Sequence, residues 1–193
     1  TGTDLIIGGA GNDTLSGCGS DTLSGGTGVD QITISGAGAT KVYGGDGNDT
    51  ITTTGYLSGT DVIDGGDGVD TLIIGGTVTA GSLATVTNVE VISFAAAGDS
   101  LTLNSADLVA FSSNSFTVDM SVSGNQSINF GSGSKAFSGA VYVNMTNSGT
   151  GNESVIANTS TGTISVIGNM ADLNTSDTLT AGGSSSDVIT LTA

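Results

Sequence analysis

Proline, tryptophan and histidine are missing from this 193-residue chain, and lysine and arginine together number two. Without histidine there is no Ser-His-Asp triad and no HExxH zinc site. With two cationic side chains there is no basic footprint for nucleic acid, and attraction to an anionic membrane surface is disfavoured. No apolar run is long enough to cross a bilayer. Neither nucleic acid nor membrane insertion is therefore expected. The single cysteine, Cys18, sits in a turn and cannot form an internal disulfide. The chain opens at Thr1 without a Met or a signal peptide, which reads as a piece of a longer or processed protein.

What is abundant is acid. Asp and Glu total 18, the formal charge is −16, and ten of the sixteen Asp fall within residues 1–70. That density of carboxylate opposes a compact state unless counterions neutralise it. Two lysines cannot; a metal can. At 36% hydrophobic residues, many of them β-branched, the chain has the material for packed strands. A secreted protein without disulfides needs another staple, and calcium serves that purpose outside cells.

The acids are placed by a repeat. Gly8, Gly9, Ala10, Gly11, Asn12, Asp13, Thr14, Leu15 and Ser16 define nine slots, with Asp in slot six and a large apolar residue in slot eight. The frame recurs at 25–33 with Asp30, at 44–52 with Asp49 and at 65–73 with Asp70. A copy at 17–24, one residue short, carries Gly17, Gly19 and Asp21; half copies carry Asp4 and Asp61; Thr40 stands where the segment 35–43 should have its Asp. Downstream, 182–190 reads GGSSSDVIT, with Asp187 in register.

Slots one to four are expected to need positive φ and close backbone approach, which glycine allows. Slots seven to nine are a short strand with one apolar side chain inward. Such strands are too short to stand alone and must stack on their neighbours. The turns then stack as well, and slot-six carboxylates align in columns. Aligned carboxylates repel unless a cation lies between them. Their oxygens, with turn carbonyls, suit Ca²⁺ and its ~6–8 oxygen ligands.

GGAGNDTLS, GGTGVDQIT, GGDGNDTIT and GGDGVDTLI resemble the GGxGxDxUx nonapeptide of the RTX (repeats-in-toxin) family. The resemblance implies an all-β, right-handed parallel β-roll with several Ca²⁺ ions between stacked turns. Carbonyls of slots one and three come from one turn, and carbonyls of slots two and four with the slot-six Asp from the next. Carried over, one edge stacks the turns of Asp13, Asp30, Asp49 and Asp70, and the other those of Asp4, Asp21, Thr40 and Asp61. The implied ligand positions are Asp4, Gly8, Gly9, Ala10, Gly11, Asp13, Gly17, Gly19, Asp21, Gly25, Gly26, Thr27, Gly28, Asp30, Gly44, Gly45, Asp46, Gly47, Asp49, Asp61, Gly65, Gly66, Asp67, Gly68, Asp70 and Asp187. Asp46 and Asp67, in slot three, could also reach an ion through their side chains; with Asp64 those side chains otherwise read as solvated turn residues.

The repeats divide the chain into a calcium roll at 1–73, a β-rich region at 74–175 and a resumed repeat at 176–193. In the middle, VEVISF (89–94), SLTL (100–103), FTVDMSV (116–122), SINF (127–130), AVYVNM (140–145) and TISVIG (163–168) read as strands. Their spacing suits a continued solenoid or a β-sandwich, and the returning repeat favours the solenoid. SADLVAF (105–111) suggests one helical turn capped by Ser105. LATVTNVEVISF with the following ADL is similar to spacer segments of RTX-type surface-layer proteins.

Catalytic chemistry is sparse. Paired carboxylates suffice for glycoside hydrolysis, but regular Asp columns fit calcium better, and Glu90 and Glu153 stand apart from them. The reading is a non-enzymatic, secreted, calcium-binding β-solenoid at a bacterial cell surface, self-associating into a surface-layer lattice or a larger parent chain. The alternatives are a binding module of an RTX adhesin or polysaccharide-active enzyme, with cell-surface polysaccharide as partner, and the secretion roll of a calcium-dependent protease or lipase.

Overall fold

Side chains alternate across a strand, so strands stacked in register build columns of like residues. Leu15 pairs with Ile32, Ile32 with Ile51, Ile51 with Leu72 and Leu72 with Ile92. All five are buried, and each such burial contributes roughly 1.5–3 kcal/mol. The computed structural model in which these pairings are seen describes residues 2–104, 106–107, 116–121, 124–130, 140–145, 154–156, 163–169, 177–180 and 188–192.

Over the repeats the strands are β1 (Leu5–Ala10), β2 (Thr14–Gly17), β3 (Thr22–Thr27), β4 (Gln31–Ile34), β5 (Lys41–Asp46), β6 (Thr50–Thr53), β7 (Val62–Asp67) and β8 (Thr71–Ile74). Beyond them come β9 (Thr77–Val78), β10 (Val86–Thr87), β11 (Val91–Phe94), β12 (Ser100–Leu103), β13 (Phe116–Asp119), β14 (Ser127–Phe130), β15 (Ala140–Asn144), β16 (Ser154–Ile156), β17 (Thr163–Asn169), β18 (Thr178–Thr180) and β19 (Val188–Thr192). Every pairing among the described residues is parallel. The chain is an all-β solenoid. All six strand stretches expected between 89 and 168 are strands. β9, β10 and β16 were not foreseen, because two or three residues are too few for an alternation to be legible.

One nine-stranded sheet runs the described length, in the order β2-β4-β6-β8-β11-β13-β15-β17-β19. Facing it are two five-stranded sheets in succession: β1-β3-β5-β7-β10, then β9-β12-β14-β16-β18. The handover lies between β8 and β11. There β9 opens the new sheet and β10 closes the old one, so this coil has three sides. The coils lengthen only past it: Thr14 pairs with Gln31 and Gln31 with Thr50, 17 and 19 residues on, the handover coil from Thr71 to Val91 takes 20, and Val91 pairs with Thr117 and Thr117 with Tyr142, 26 and 25 residues on.

β2, β4, β6, β8 and β11 of the long sheet each turn two residues inward, not the single one expected. The second column reads Gly17, Ile34, Thr53, Ile74 and Phe94. It runs from no side chain at Gly17 to an aromatic ring at Phe94. Past the handover Phe94, Phe116 and Phe130 fill the wider interior. At 104–107, Asn104 Oδ1 accepts from the amides of Ala106 (2.7 Å) and Asp107 (3.2 Å), the pattern of a helix start. Ser105, expected as that cap, lies outside the described residues.

Candidate metal centre

The four complete repeats turn the chain on one edge, between the first short sheet and the long one. There Asp30 Oδ1 accepts from the Asp13 amide, Asp49 Oδ1 from the Asp30 amide and Asp70 Oδ1 from the Asp49 amide, each at 2.8 Å. The column ends on Glu90, whose Oε2 accepts from the Asp70 amide at 2.8 Å. This ladder consumes one carboxylate oxygen per coil. The other oxygen, Oδ2 of Asp13, Asp30, Asp49 and Asp70, is buried with no hydrogen-bond partner. Four orphaned carboxylate oxygens in a row are costly to bury. They are also hard, anionic donors pointing at one strip of backbone.

That strip is the slot-one glycines. A Cβ on Gly8 would lie 2.5 Å from Asp13 Oδ2 and 2.7 Å from the Gly25 carbonyl. On Gly25 it would strike Asp30 Oδ2 and the Gly44 carbonyl, and on Gly44, Asp49 Oδ2 and the Gly65 carbonyl. Each orphaned oxygen thus shares a pocket, with no room for a side chain, with a slot-one carbonyl of the next coil. The four slot-one glycines carry no left-handed φ; positive φ belongs to slots two and four, at Gly9, Gly11, Gly26, Gly28, Gly45, Gly47, Gly66 and Gly68. Slot-one glycine is demanded by space, and slots two and four by conformation as well. Slot two and slot four also pack under the preceding coil: Gly26 against the Gly9 carbonyl, Gly28 against that of Gly11.

In slot three, the carbonyls of Thr27, Asp46 and Asp67 accept from the Gly11, Gly28 and Gly47 amides at 2.8 Å. The Ala10, Asp46 and Asp67 side chains are exposed. In slot five, Asn12 Oδ1 accepts from Val29 N and Asn48 Oδ1 from Val69 N, at 2.9 Å. These asparagines escaped sequence reasoning, although Asn recurs at that slot in two of the four complete copies. Asp64 is also engaged: its Oδ1 accepts from Asn88 Nδ2 at 2.8 Å.

The opposite edge uses carboxylates differently. Asp21 Oδ1 accepts from the Asp4 amide (2.9 Å) and Oδ2 from the Cys18 amide (2.8 Å). Asp61 Oδ1 accepts from the Thr40 amide and Oδ2 from the amide (2.8 Å) and hydroxyl (3.0 Å) of Ser58. Asp99, between β11 and β12, repeats the plan on this edge with Gly76 and Ala96; Asp107, beyond β12 where the chain returns to the long sheet, repeats it with Leu83, Gly81 and Asn104. In all four turns one oxygen takes the amide three residues back and the other reaches the preceding coil. These carboxylates are staples, satisfied by protein N–H. Thr40 does comparable work without charge, donating its hydroxyl to the Gly19 carbonyl at 2.6 Å. Gly17 is buried against Leu23, and Asp4 is exposed. Asp187 lies outside the described residues. Asp99 and Asp107 carried no sequence signal, since each stands alone between unlike neighbours.

Proton affinity differs in the same sense between Asp21 on the one hand and Asp49 and Asp70 on the other. Amide hydrogen bonds from Asp4 and Cys18 hold Asp21 below the usual carboxylate range. Burial pushes Asp49 up. Asp70 is raised to about 6, first by burial and then by the charges of Asp49, Glu90 and Asp64. Buried carboxylates that resist losing a proton, with an unpartnered oxygen beside a carbonyl, fit a hard oxygen-seeking cation. Among the described residues no three acidic or sulfur or imidazole side chains converge on one point. The donor sets are single carboxylates joined to backbone carbonyls, which suit calcium rather than zinc.

The model of the RTX calcium-binding nonapeptide repeat (4 copies) matches residues 1–32, 34–55 and 57–76. The first 76 residues are built from RTX repeats. Such repeats bind Ca²⁺ and are structural modules, not catalytic domains. No curated protein and no solved structure matches the chain significantly. Carried over from the RTX pattern, the edge of Asp13, Asp30, Asp49 and Asp70 would offer slot-one carbonyls and slot-six carboxylates as donors. Calcium there would supply the positive charge that two lysines cannot.

Proposed function

We propose that this chain is a structural segment of a secreted bacterial surface-layer protein, in which calcium stiffens an RTX roll and the roll braces the solenoid built on it. The observation that carries this reading is the single nine-stranded parallel sheet. It passes from β2, inside the calcium repeats, to β19 without changing direction. A secretion roll appended to a catalytic domain has no need of such an extension. A rod-like scaffold does, because each coil is held only by its neighbours. The low aromatic content argues against a sugar-stacking surface: Tyr43 and Tyr142, both exposed, stand on different sheets.

Assembly follows from charge. Chains at −16 repel one another at long range, screened over about 8 Å at physiological salt. Bound calcium removes much of that repulsion, and the exposed Asp46 and Asp67 remain to share ions between molecules. Light scattering and negative-stain microscopy across a calcium titration test the proposal. Millimolar calcium is expected to convert the parent protein from monomer to ordered sheets, and magnesium to do so poorly. A parent that folds with calcium but stays monomeric at high concentration, while binding polysaccharide, would transfer the reading to an adhesin or polysaccharide module.

A further inference from the structure

The nonapeptide match ends at residue 76, yet the column of orphaned oxygens does not end with a repeat above it. Asp70 is fully buried, and its Oδ2 has no hydrogen-bond partner, like those of Asp13, Asp30 and Asp49. In the earlier coils the matching carbonyl comes from the slot-one glycine of the next repeat. Here no repeat follows. A Cβ on Gly65 would lie 2.5 Å from Asp70 Oδ2 and strike the carbonyl of Asn88. Asn88 therefore stands where a slot-one glycine would.

The local chain explains how a non-repeat does this. Asn88, at φ 51°, is the one non-glycine residue with a left-handed backbone among those described. Asparagine tolerates that conformation better than most residues. Its side chain is held by Asp64 Oδ1 at 2.8 Å. Two residues later Glu90 takes the slot-six position, its Oε2 accepting from the Asp70 amide at 2.8 Å. The Glu90 and Val91 amides both donate to the Asp70 carbonyl, at 3.2 and 3.0 Å. From slot one to slot six a repeat runs five residues, Gly65 to Asp70; here the same span is two, Asn88 to Glu90. The turn has lost three residues, and a glutamate, longer by one methylene than aspartate, still reaches the column.

We propose that Asp70, Asn88 and Glu90 form a further calcium site across the end of the RTX roll, closed by residues outside any repeat. Asp70 Oδ2 and the Asn88 carbonyl supply the donors that Asp49 and Gly65 supply one coil earlier. Glu90 adds a second carboxylate in place of the deleted turn. The site ties the three-sided coil of β10 to the roll, so that calcium orders the first coil of the solenoid beyond the repeats. This inference rests on the calcium-binding reading of the upstream edge, and the experiment separates the two.

Crystals of the unaltered chain grown in calcium and exchanged with a lanthanide are expected to show anomalous peaks beside Asp13, Asp30, Asp49 and Asp70. Peaks at the first three and none at Asp70 would overturn this proposal alone. No peaks at any of the four would remove the calcium reading beneath it. In solution, Glu90→Gln keeps an acceptor for the Asp70 amide but removes the charge. Equilibrium dialysis against radiolabelled calcium is expected to find one bound ion fewer per chain. A Glu90→Gln chain that folds and binds the parental number of ions at parental affinity would also overturn the proposal; should the variant not fold, the anomalous map decides.

Discussion

Asp49 and Asp61 are both buried aspartates in turns, and replacing each with asparagine should separate ligand from staple. At Asp49 the change keeps Oδ1, the acceptor for the Asp30 amide, and alters the oxygen that has no partner. It also removes a charge that burial already disfavours. Without metal, the stability of Asp49→Asn should therefore be unchanged or raised. With metal, a site is lost. For a dissociation constant of about 10⁻⁴ M and about 5 mM free calcium, one ion stabilises the folded state by about 2 kcal/mol. At Asp61 the altered oxygen accepts from both the amide and the hydroxyl of Ser58. An NH₂ there faces two donors, and the loss is about 1–3 kcal/mol, with calcium or without. Urea unfolding followed by circular dichroism, in calcium at pH 7 and after metal removal at about pH 4.5, where the metal-free chain is expected to regain structure, reads both. Equal losses for Asp49→Asn in the two conditions would refute the reasoning, because they would make its orphaned oxygen a structural acceptor like that of Asp61.

Removing calcium at pH 7 should unfold residues 1–76, seen as loss of the β spectrum; an unchanged spectrum would mean that the Asp column tolerates its own charge. Metal-free chain should regain structure on acidification. Asp70 titrates at about 6 in the fold against 3.8 as a free side chain, so the folded state binds the proton more tightly. That contribution is complete below about pH 4 and disappears as pH rises through about 6; a metal-free chain equally unfolded at pH 7 and pH 4.5 would contradict it. Gly9 and Gly26 share slot two and a left-handed φ, but a Cβ meets nothing at Gly9 and the Gly9 carbonyl at Gly26. Alanine should cost about 1–2 kcal/mol at Gly9 and clearly more at Gly26, by urea midpoints in calcium. Phe94→Ala, which empties a fully buried position of the second inward column, should cost about 3–5 kcal/mol without changing calcium stoichiometry.

The repeat, its carboxylates and the parallel solenoid were legible in the sequence because they are periodic. A short strand that must stack, a glycine turn and an aspartate recurring together leave few other ways to bury the slot-eight residues. Leu15, Ile32, Ile51 and Leu72 share slot eight, and that alone sets them in one column. What the period could not distinguish was the use of each aspartate. Asp30 and Asp61 look alike in sequence, yet one has a bare oxygen and the other none. The difference lies in whether a turn amide three residues back points at the carboxylate, and that depends on the path of the whole turn. Likewise Asn88 and Glu90 have no motif. They enter the Asp column only because parallel pairing of β8 with β11 sets them one coil beyond Asp70. The widening of the coils, the change of facing sheet and the Phe-filled interior belong to the tertiary structure as well. They follow from where each loop finds room to stack, and stacking is decided by neighbours about twenty residues away rather than by those adjacent in the chain.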